Sequence, residues 1–439
     1  MARIFNAVQS WEQELFLPGF WFRQFKNLRQ GGLKSVIRKV GVLFRIVLPF
    51  LLMMPFGLLV TLIIRLMSPL VVIRLYSFHS NRIGHWLGNT ELHLADIEAG
   101  TFPGRSAHVF YYETTICNGQ LNKMWKRVMS GIPNVFIVPF ILSGIVRNAA
   151  VVNGFFKGAE KYTAATSDRD LKNHYAKAKV RFAFTREEEE MGGKELGKLA
   201  PEVRDTFVCM TARDGAYLKM AEPAKDYGYH SYRDSDIMKS FLAAEELTKR
   251  GYTVFRVGSA VNGQLPSVND QIIDYVNRGR TEFMDIYLGS HCRFFIGAAT
   301  GLTAVPLAFR KPIVWVNFIP FSTVQAWVYN ALVIPKKIWV KDEKRFLTFR
   351  EIVESGVGLF MSQAKYDERG LMPVENSPEE IAEVVLEMHE RLDGTWLPAP
   401  EDDELQRRFW SYFTPDEWNR TFAVKVGAGF LRANRELVS

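Results

Sequence analysis

Hydrophobic runs alternate with amphipathic stretches along the second half of the chain. The apolar runs that predict strands are 206–214, 252–258, 292–297 and the stretch "IVWVNFI" that Pro312 opens. Residues 235–250 carry apolar positions on one helical face and are followed by Gly251, and residues 267–278 are also predicted to be helical. Strands that alternate with helices at this spacing predict a parallel sheet covered on both faces.

The first half has a weaker alternation of the same kind. Strands are predicted at 70–78 and 107–113, with helices between and after them at 81–100 and 117–129. Residues 135–146, "VFIVPFILSGIV", are apolar throughout and fit either a strand or a contact with a membrane surface. The polar stretch from 160 to 203 predicts the connection between two domains.

A late helix is predicted from its end signals. In residues 376–394, Ser377 caps the helix, Pro378 occupies the first position and Glu380 completes a capping box, while Gly394 closes the helix. The helical "GAGFLRANRELV" near the C-terminus is expected to pack back across the N-terminal domain.

A long apolar segment precedes the first strand. Residues 46–64 contain no charged residue over 19 positions, which as a helix would be about 28 Å long and close to the thickness of a bilayer core. Pro49, Pro55 and Gly57 predict a break, and basic residues flank both ends. A re-entrant or in-plane segment on the cytoplasmic face is therefore favoured over a full span, with a buried helix pair as the third interpretation.

Charge changes the picture only at the N-terminus. The net charge is +8, and residues 1–45 hold eight Lys or Arg against Glu12 and Glu14, so most of the excess is local. This placement favours an anionic membrane surface as the partner of residues 1–78, and no nucleic-acid-binding motif is visible. The three cysteines match no zinc or redox motif.

Ligands of open parallel sheets bind beyond the carboxyl ends of the strands, so the candidate chemistry is sought there. Three neighbouring strand ends offer guanidinium groups, glycine turns and a hydroxyl-rich helix start, a combination that suits a diphosphate. The candidate residues at these ends are Arg213, Asp214, Arg256, Gly258, Ser259, Gly297, Ala299, Thr300, Gly301 and Thr303. In the following "HSYRDSDI", Tyr232 could stack on a base and Arg233 could pair with phosphate; a surface loop is the alternative.

The first half contains the candidates for a general base. His85 follows the first strand and could deprotonate an acceptor hydroxyl, although a capping or packing histidine fits the same position. The alternatives are Asp96, Glu91 and Glu113; Glu91 is interpreted as a surface charge, and Glu113, at the end of the second strand, is the strongest of the three. The Asp-x-Asp triplet 234–236 is better explained by helix capping than by metal binding, so no metal site is predicted.

Seven stretches are distinctive in combination: "RIGHWLGNTEL", "CNGQLNKMWKR", "TARDGAYLK", "HSYRDSDI", "RVGSAV", "FFIGAATGLTAVPLAFRKPIVWVN" and "GAGFLRAN". Together they resemble a family of bacterial glycosyltransferases found with surface-polysaccharide genes. The resemblance covers residues 70–435 and implies two Rossmann-like α/β domains of the GT-B type that face a cleft. It also implies that the C-terminal domain holds the sugar nucleotide without an essential metal.

A fainter resemblance concerns the diphosphate. "TARD" after a strand, with a hydroxyl-rich turn before a helix, is similar to the motifs of O-fucosyltransferases, which implies that Arg213 contacts phosphate and that Thr300, Gly301 and Thr303 cradle it. This chain has "TARD" where the family has a fuller His-x-Arg-Arg pattern. "RIGH" lies where other two-domain transferases carry a catalytic histidine, which favours His85 as the base.

These observations predict a membrane-associating segment 1–68, Rossmann-like domains at 69–203 and 204–395, and C-terminal helices at 396–439. The expected activity is transfer of a sugar from a nucleotide diphosphate sugar, used as substrate and not as a cofactor, to a saccharide or polyprenyl-linked saccharide. The expected place is the cytoplasmic face of the inner membrane. A nucleotide-sugar epimerase and a non-catalytic sugar-nucleotide-binding subunit of a polysaccharide assembly complex are the alternatives.

Overall fold

The structure, a computed structural model, describes residues 48–102, 104–163, 169–201, 206–221, 227–266, 268–413 and 422–438. The predictions for the basic segment 1–45 therefore lie outside the described residues.

Strands and helices are numbered here in chain order over the described residues. The strands are β1 (Val72–Ser77), β2 (Ser106–Tyr111), β3 (Val135–Ile137), β4 (Phe207–Thr211), β5 (Thr253–Arg256), β6 (Ile272–Asp274), β7 (Phe295–Gly297), β8 (Ile313–Phe318), β9 (Ala331–Pro335), β10 (Lys337–Val340), β11 (Arg345–Phe346), β12 (Leu371–Val374) and β13 (Lys425–Val426). The helices are α1 (Leu48–Leu66), α2 (Ile83–Glu98), α3 (Gly119–Ser130), α4 (Ser143–Asn153), α5 (Arg186–Leu199), α6 (Ala216–Ala221), α7 (Phe241–Thr248), α8 (Glu282–His291), α9 (Ala304–Ala308), α10 (Phe349–Glu354), α11 (Gln363–Asp367), α12 (Pro378–Asp393), α13 (Asp402–Ser411) and α14 (Ala428–Ala433).

The chain divides into two compact units. Unit 1 comprises the described residues of 1–82, 96–117 and 125–167, and unit 2 comprises those of 83–95, 118–124 and 168–439. Each unit is built on a parallel sheet, which agrees with the predicted α/β class. The domain boundaries given in the sequence analysis stay predictions.

Unit 1 is a three-stranded parallel sheet in the order β1-β2-β3, with α1 and α4 packed beside it. Its small core joins Ile64 of α1 and Ala149 of α4 to Leu75 and Tyr111 of the sheet. The predicted strands at 70–78 and 107–113 are confirmed. Residues 135–146 contain a short strand, a 3-10 turn at Phe140–Leu142 and the start of α4.

The apolar segment forms one continuous helix, so the predicted break is wrong. α1 runs through Pro55 without interruption and buries Phe50, Gly57, Thr61 and Ile64 on one face. Proline removes one helical hydrogen bond, but the packing of this face on α4 holds both halves of the helix in line. Among the described residues, α1 is the one helix long and apolar enough to cross a membrane by its length and composition.

Unit 2 contains a seven-stranded parallel sheet in the order β13-β9-β8-β7-β4-β5-β6. The chain runs from β4 outward to β5 and β6, and then returns to the other side of β4 with β7, β8 and β9. This is the doubly wound strand order of a Rossmann-like sheet, and its topological switch point lies between β4 and β7. A small antiparallel sheet, β11-β10-β12, is appended to it.

Most predicted elements of unit 2 are confirmed, and one is wrong. Strands β4, β5, β7 and β8 lie in the predicted runs. The helix predicted at 267–278 is replaced in the described residues by β6 and a 3-10 turn, because Ile272 and Ile273 are buried along the edge of β5. Two adjacent β-branched residues favour a strand when both faces of a sheet are covered.

The C-terminal elements pack within unit 2. Ser377 and Glu380 form the predicted capping box of α12, and Gly394 adopts the left-handed conformation that ends it. The backbone N–H of Ala428 in α14 donates to Oε2 of Glu387 in α12 at 2.7 Å. This contact lies within unit 2, and the expected packing of the C-terminal helices across the N-terminal domain stays a prediction.

Candidate functional site

The carboxyl ends of β4 and β7 approach each other closely at the switch point of unit 2. Thr211 and Gly297 are paired across the two strands. A Cβ atom on Gly297 would lie 2.9 Å from Cγ2 of Thr303 and 3.1 Å from Cγ2 of Thr211, so only glycine fits between the two threonines. The glycine therefore allows the turn after β7 to fold back over the end of β4.

Arg213 projects from the end of β4 and is largely buried. Its Nη1 donates to the carbonyl of His230 at 3.1 Å and to Oδ1 of Asp234 at 2.8 Å. The side chain of Arg213 is 11% exposed, whereas that of Asp234 is 39% exposed. Burial lowers the pKa of Arg213 and raises the pKa of Asp234, because the loss of hydration disfavours the charged form of each group.

Arg233 lies beside Arg213 and reaches the turn after β7. Its Nη2 donates to the carbonyl of Ala299 at 2.5 Å. Burial, together with the positive charge of Arg213, lowers the pKa of Arg233 to about 10. Within the described residues its Nε is buried without a hydrogen-bond partner. A buried, unpaired guanidinium donor next to a second guanidinium is costly unless an anion binds there.

The turn itself offers a hydroxyl group to the same place. Thr303 Oγ1 donates to the carbonyl of Thr300 at 2.7 Å and thereby fixes the turn. The Oγ1 atom of Thr300 is buried and has no partner in the part of the chain that the structure describes. Arg233 thus contacts the 298–303 turn and lies beside Arg213, while the predicted role of these groups in holding a diphosphate stays a prediction.

Lys336 is a third cation at this edge, and the sequence analysis did not single it out. It follows β9 directly and is 3% exposed. Its Nζ donates to the carbonyls of Tyr232 at 3.2 Å and Asp234 at 2.6 Å, which holds the 232–234 segment in place. Burial lowers the pKa of Lys336 to about 8, and Arg213 adds to the effect. Its position after a buried strand was the available signal.

His85 lies near this site because the backbone of the preceding residue, Gly84, contacts the turn after β7. A Cβ atom on Gly84 would lie 2.6 Å from the Cα of Gly301, so the first turn of α2 is in backbone contact with the turn after β7. His85 is exposed in this first turn. The structure therefore assigns the start of α2 to unit 2 and brings the candidate base beside the candidate cradle.

A buried ion pair fixes α2 in this position. Oε2 of Glu91 lies 3.1 Å from Nη1 of Arg181 and 3.7 Å from Nη2 of Arg310, and the Glu91 side chain is 2% exposed. The Arg310 guanidinium also covers the ring of Tyr175 at 3.7 Å. The interpretation of Glu91 as a surface charge is therefore wrong, because two arginines compensate its carboxylate inside unit 2.

Glu113 belongs to unit 1, at the carboxyl end of β2. Its Oε1 accepts a hydrogen bond from Ser77 Oγ, and its backbone N–H donates to Ser80 Oγ at 3.0 Å. Arg147 lies 3.9 Å from its Oε2. The carboxylate is partly exposed and is held beside a positive charge, which suits either a base or a group that orients a hydroxyl.

Two predicted ligands, Arg256 and Asp214, make structural contacts within the protein. Arg256 donates to the carbonyls of Gly263 at 3.1 Å and Asn262 at 3.2 Å, and lies 3.5 Å from Asp274. Asp214 accepts from the N–H groups of Ala216 at 2.9 Å and Asn262 at 2.7 Å. Both residues thus shape the loop after β5.

Tyr232 also differs from its predicted role. Its ring is 2% exposed and packs 5.5 Å from the ring of Tyr366 in the core, so it offers no face to a nucleotide base. Gly258 and Ser259 form the turn after β5, where Gly258 packs against Val261 and Val276. Neither contact brings that turn to Arg213 or Thr300. The roles of Gly258 and Ser259 in donor binding stay predictions.

The Asp-x-Asp triplet acts as the sequence analysis expects. Asp236 caps the following 3-10 turn by accepting from the N–H of Met238 at 2.9 Å, and Asp234 pairs with Arg213. Among the described residues, no group of three or more histidine, cysteine, aspartate or glutamate side chains is arranged to hold a metal ion.

Comparison with solved structures finds low similarity to several glycosyltransferases. A glycosyl transferase of family 9 from Veillonella parvula DSM 2008 is 13% identical, covers 73% of this chain and 96% of its own, and has a TM-score of 0.40. E. coli ADP-heptose lps heptosyltransferase II is 12% identical, with coverages of 60% and 90% and a TM-score of 0.35. E. coli heptosyltransferase WaaC with ADP is 11% identical, with coverages of 60% and 91% and a TM-score of 0.31.

No family model matches the chain, and a search of curated proteins found no match. The solved structures belong to the enzyme class that the sequence resemblance names.

Proposed function

We propose that the protein is a glycosyltransferase that moves a sugar from a nucleotide diphosphate sugar to a saccharide or lipid-linked saccharide. The observation that carries this proposal is the cation cluster at the switch point of unit 2. Arg233 donates to the turn that carries the unpaired Thr300 hydroxyl, Arg213 lies beside Arg233 and pairs with Asp234, and Lys336 holds the 232–234 segment. Such an excess of buried positive charge suits a diphosphate, which accepts several hydrogen bonds and carries negative charge.

The same cluster supplies the electrostatic part of the reaction. As the bond between the sugar and the diphosphate breaks, negative charge builds on the leaving oxygen. Arg213 and Arg233 would neutralise this charge, with Thr300 as a hydroxyl donor, because these groups are already oriented by their contacts with the 230–235 and 298–301 segments. Side-chain cations then supply the compensation that a divalent ion supplies in metal-dependent transferases, so we propose a metal-independent reaction.

Acceptor activation is assigned to a general base. His85 would take the proton of the acceptor hydroxyl as that oxygen attacks the sugar carbon in a single displacement. Its support is the backbone contact between Gly84 and Gly301, which holds the first turn of α2 against the cradle. Glu113 is the second candidate for the base, supported by its place at a strand end of unit 1.

We further propose that the enzyme works at the cytoplasmic face of a membrane in surface-polysaccharide synthesis. The support is the apolar outer face of α1, together with the basic sequence that precedes it. Thr61 Oγ1 donates to the carbonyl of Ala149 at 3.0 Å, and Arg65 donates twice to Oδ1 of Asn153, at 2.9 and 2.7 Å. A span would draw these polar groups of α4 toward the hydrocarbon, so an in-plane attachment is favoured.

A donor panel tests the activity. The full-length protein is incubated with ADP-, GDP-, UDP- and dTDP-linked sugars, and the released nucleotide is quantified together with the identity of the remaining sugar nucleotide. Slow release of a nucleoside diphosphate supports a transferase. Interconversion of sugar nucleotides without release indicates an epimerase, and binding without turnover indicates a non-catalytic subunit; either result overturns the proposal.

A further inference from the structure

The 3-10 turn Phe140–Leu142 of unit 1 presents an apolar surface to solvent. Phe140 is 47% exposed, Ile141 is 86% exposed and Leu142 is 47% exposed. Three consecutive large apolar side chains at this exposure would be excluded from water if a surface covered them.

This turn leads directly into α4, and α4 packs along α1, the helix whose outer face is apolar. Ten large apolar side chains of α1 are exposed on the side away from α4: Leu48, Leu51, Leu52, Met53, Phe56, Leu58, Leu59, Leu62, Ile63 and Leu66. After the other end of α4, Phe155 and Phe156 are also exposed, at 56% and 38%. Apolar side chains thus lie on α1 and at both ends of its supporting helix.

Cations border this apolar surface. The Arg65 guanidinium lies 4.9 Å above the ring of Phe156, and exposed Lys157 and Lys161 follow α4. The sequence before α1 adds eight Lys or Arg against two glutamates. An apolar face with a cationic border matches the boundary between acyl chains and anionic headgroups of a phospholipid bilayer. A second protein copy would bring like charges together at the same border.

The turn is also fixed to the strand end that carries Glu113. The rings of Phe140 and Tyr112 are 5.7 Å apart, and the backbone N–H of Tyr112 donates to Ser143 Oγ at 3.0 Å. Tyr112 directly precedes Glu113, which in turn lies 3.9 Å from Arg147 of α4. Any surface that covers the turn therefore lies beside the carboxyl edge of the unit 1 sheet.

We propose that Phe140–Leu142 is a second bilayer-contacting element, which acts with the outer face of α1 so that the carboxyl edge of the unit 1 sheet faces the lipid surface. Resting on the proposed function, this arrangement names the acceptor class: its hydroxyl belongs to a molecule embedded in the bilayer, which reaches the carboxyl edge of the unit 1 sheet without leaving the membrane. The bilayer contact itself does not depend on that activity.

The test measures the binding of the full-length protein to vesicles of phosphatidylethanolamine and phosphatidylglycerol by flotation. Ile141→Asp removes the most exposed side chain of the turn, and Leu59→Asp changes the outer face of α1, where Leu59 is 56% exposed. Leu397→Asp is the matched control, because Leu397 is also 86% exposed but belongs to unit 2. We expect Ile141→Asp and Leu59→Asp each to weaken vesicle binding about tenfold, and Leu397→Asp to leave it unchanged.

Two controls keep the outcome clear. Because the substituted side chains are exposed, each variant should keep the melting temperature and the nucleotide affinity of the wild type. The donor panel tests the proposed activity and vesicle flotation tests the bilayer contact, so the two proposals can fail separately. Unchanged vesicle binding by Ile141→Asp overturns the proposal. So does a change in oligomeric state of Ile141→Asp in lipid-free solution without loss of vesicle binding, since the turn would then be an interface between copies of the chain.

Discussion

The backbones of Gly84 and Gly301 touch, since a Cβ on Gly84 would lie 2.6 Å from the Cα of Gly301. This contact joins the first turn of α2 to the turn that follows β7. It fixes the position of His85 relative to Thr300 by main-chain packing, which tolerates little displacement. The spacing between candidate base and candidate diphosphate cradle is therefore set by two residues without side chains.

Substitution of Gly84 should lower turnover. In Gly84→Ala the new methyl group must displace the backbone of Gly301, and small misplacements of reacting groups are costly, so we expect kcat to fall by at least about tenfold. Gly88→Ala is the matched control, because a Cβ on Gly88 of the same helix meets nothing within 4 Å. Steady-state kinetics of both variants measure the difference. Equal activity of the two variants would show that the contact does not position the site.

Loss of the buried carboxylate of Glu91 should destabilise unit 2. Glu91→Ala leaves Arg181 and Arg310 without their compensating charge, and breaking a buried pair in this way costs about 3–5 kcal/mol. Denaturant unfolding measures the loss. Glu190→Ala, which removes an exposed pair with Arg186, should leave the unfolding midpoint unchanged. A stable Glu91→Ala variant would contradict the assignment of this pair as the anchor of α2.

Nucleotide affinity should depend on pH through Lys336. Burial lowers the pKa of this amine to about 8 from its ordinary 10.5, and a bound diphosphate favours the protonated form. Binding then takes up a proton, so the affinity for a nucleoside diphosphate should fall as pH rises from 7 through about 8 to 9. Phosphate groups are already ionised in this range, because their second pKa is about 6. Calorimetric titrations across this range measure the slope.

Lys336→Met provides the control for that slope. It should bind more weakly at pH 7 and show a flatter pH dependence, whereas Lys249→Met, at an exposed lysine paired with Glu246, should keep the wild-type profile. A wild-type affinity that is constant from pH 7 to 9 would remove Lys336 from the donor site.

The strands themselves could be predicted from the sequence, because hydrophobic alternation marks β4, β5, β7 and β8. The approach of the end of β4 to the turn after β7 follows from the pairing of these two strands in the sheet. The directions of side chains could not be predicted from the sequence. Arg256 follows the predicted strand but donates to loop carbonyls, and Tyr232 packs in the core. The prediction of a helix at 267–278 was wrong for another reason. Ile272 and Ile273 form a strand because they pair with β5, and this pairing is not visible in the local sequence.

Tertiary packing also explains the misjudged helix near the N-terminus. Pro55 and Gly57 predict a break locally, yet Gly57 lets α1 approach α4, because a Cβ there would lie 2.7 Å from the Cβ of Asn148. The same glycine that weakens the isolated helix therefore allows the contact that stabilises it. Glu91 was misjudged in the same way, since its two arginine partners are distant in sequence.

The choice between the two candidate bases can be made by kinetics. His85→Ala should leave nucleotide affinity within about twofold of the wild type and lower kcat by about 100-fold, in the range typical of a lost general base. Glu113→Gln, which keeps the acceptor oxygen for Ser77, should then retain most activity. The reverse pattern would assign the base to Glu113.

The central claim is that Arg213 and Arg233 bind one diphosphate at the switch point of unit 2, and calorimetric titration of nucleoside diphosphates tests it most directly. At least one of ADP, GDP, UDP or dTDP should bind the wild type, and Arg213→Ala and Arg233→Met should each weaken that binding at least about tenfold, as expected for a charge-assisted contact. Arg293→Met, at a half-exposed arginine paired with Asp393, should bind as the wild type does. Undiminished affinity in Arg213→Ala and Arg233→Met would contradict the account.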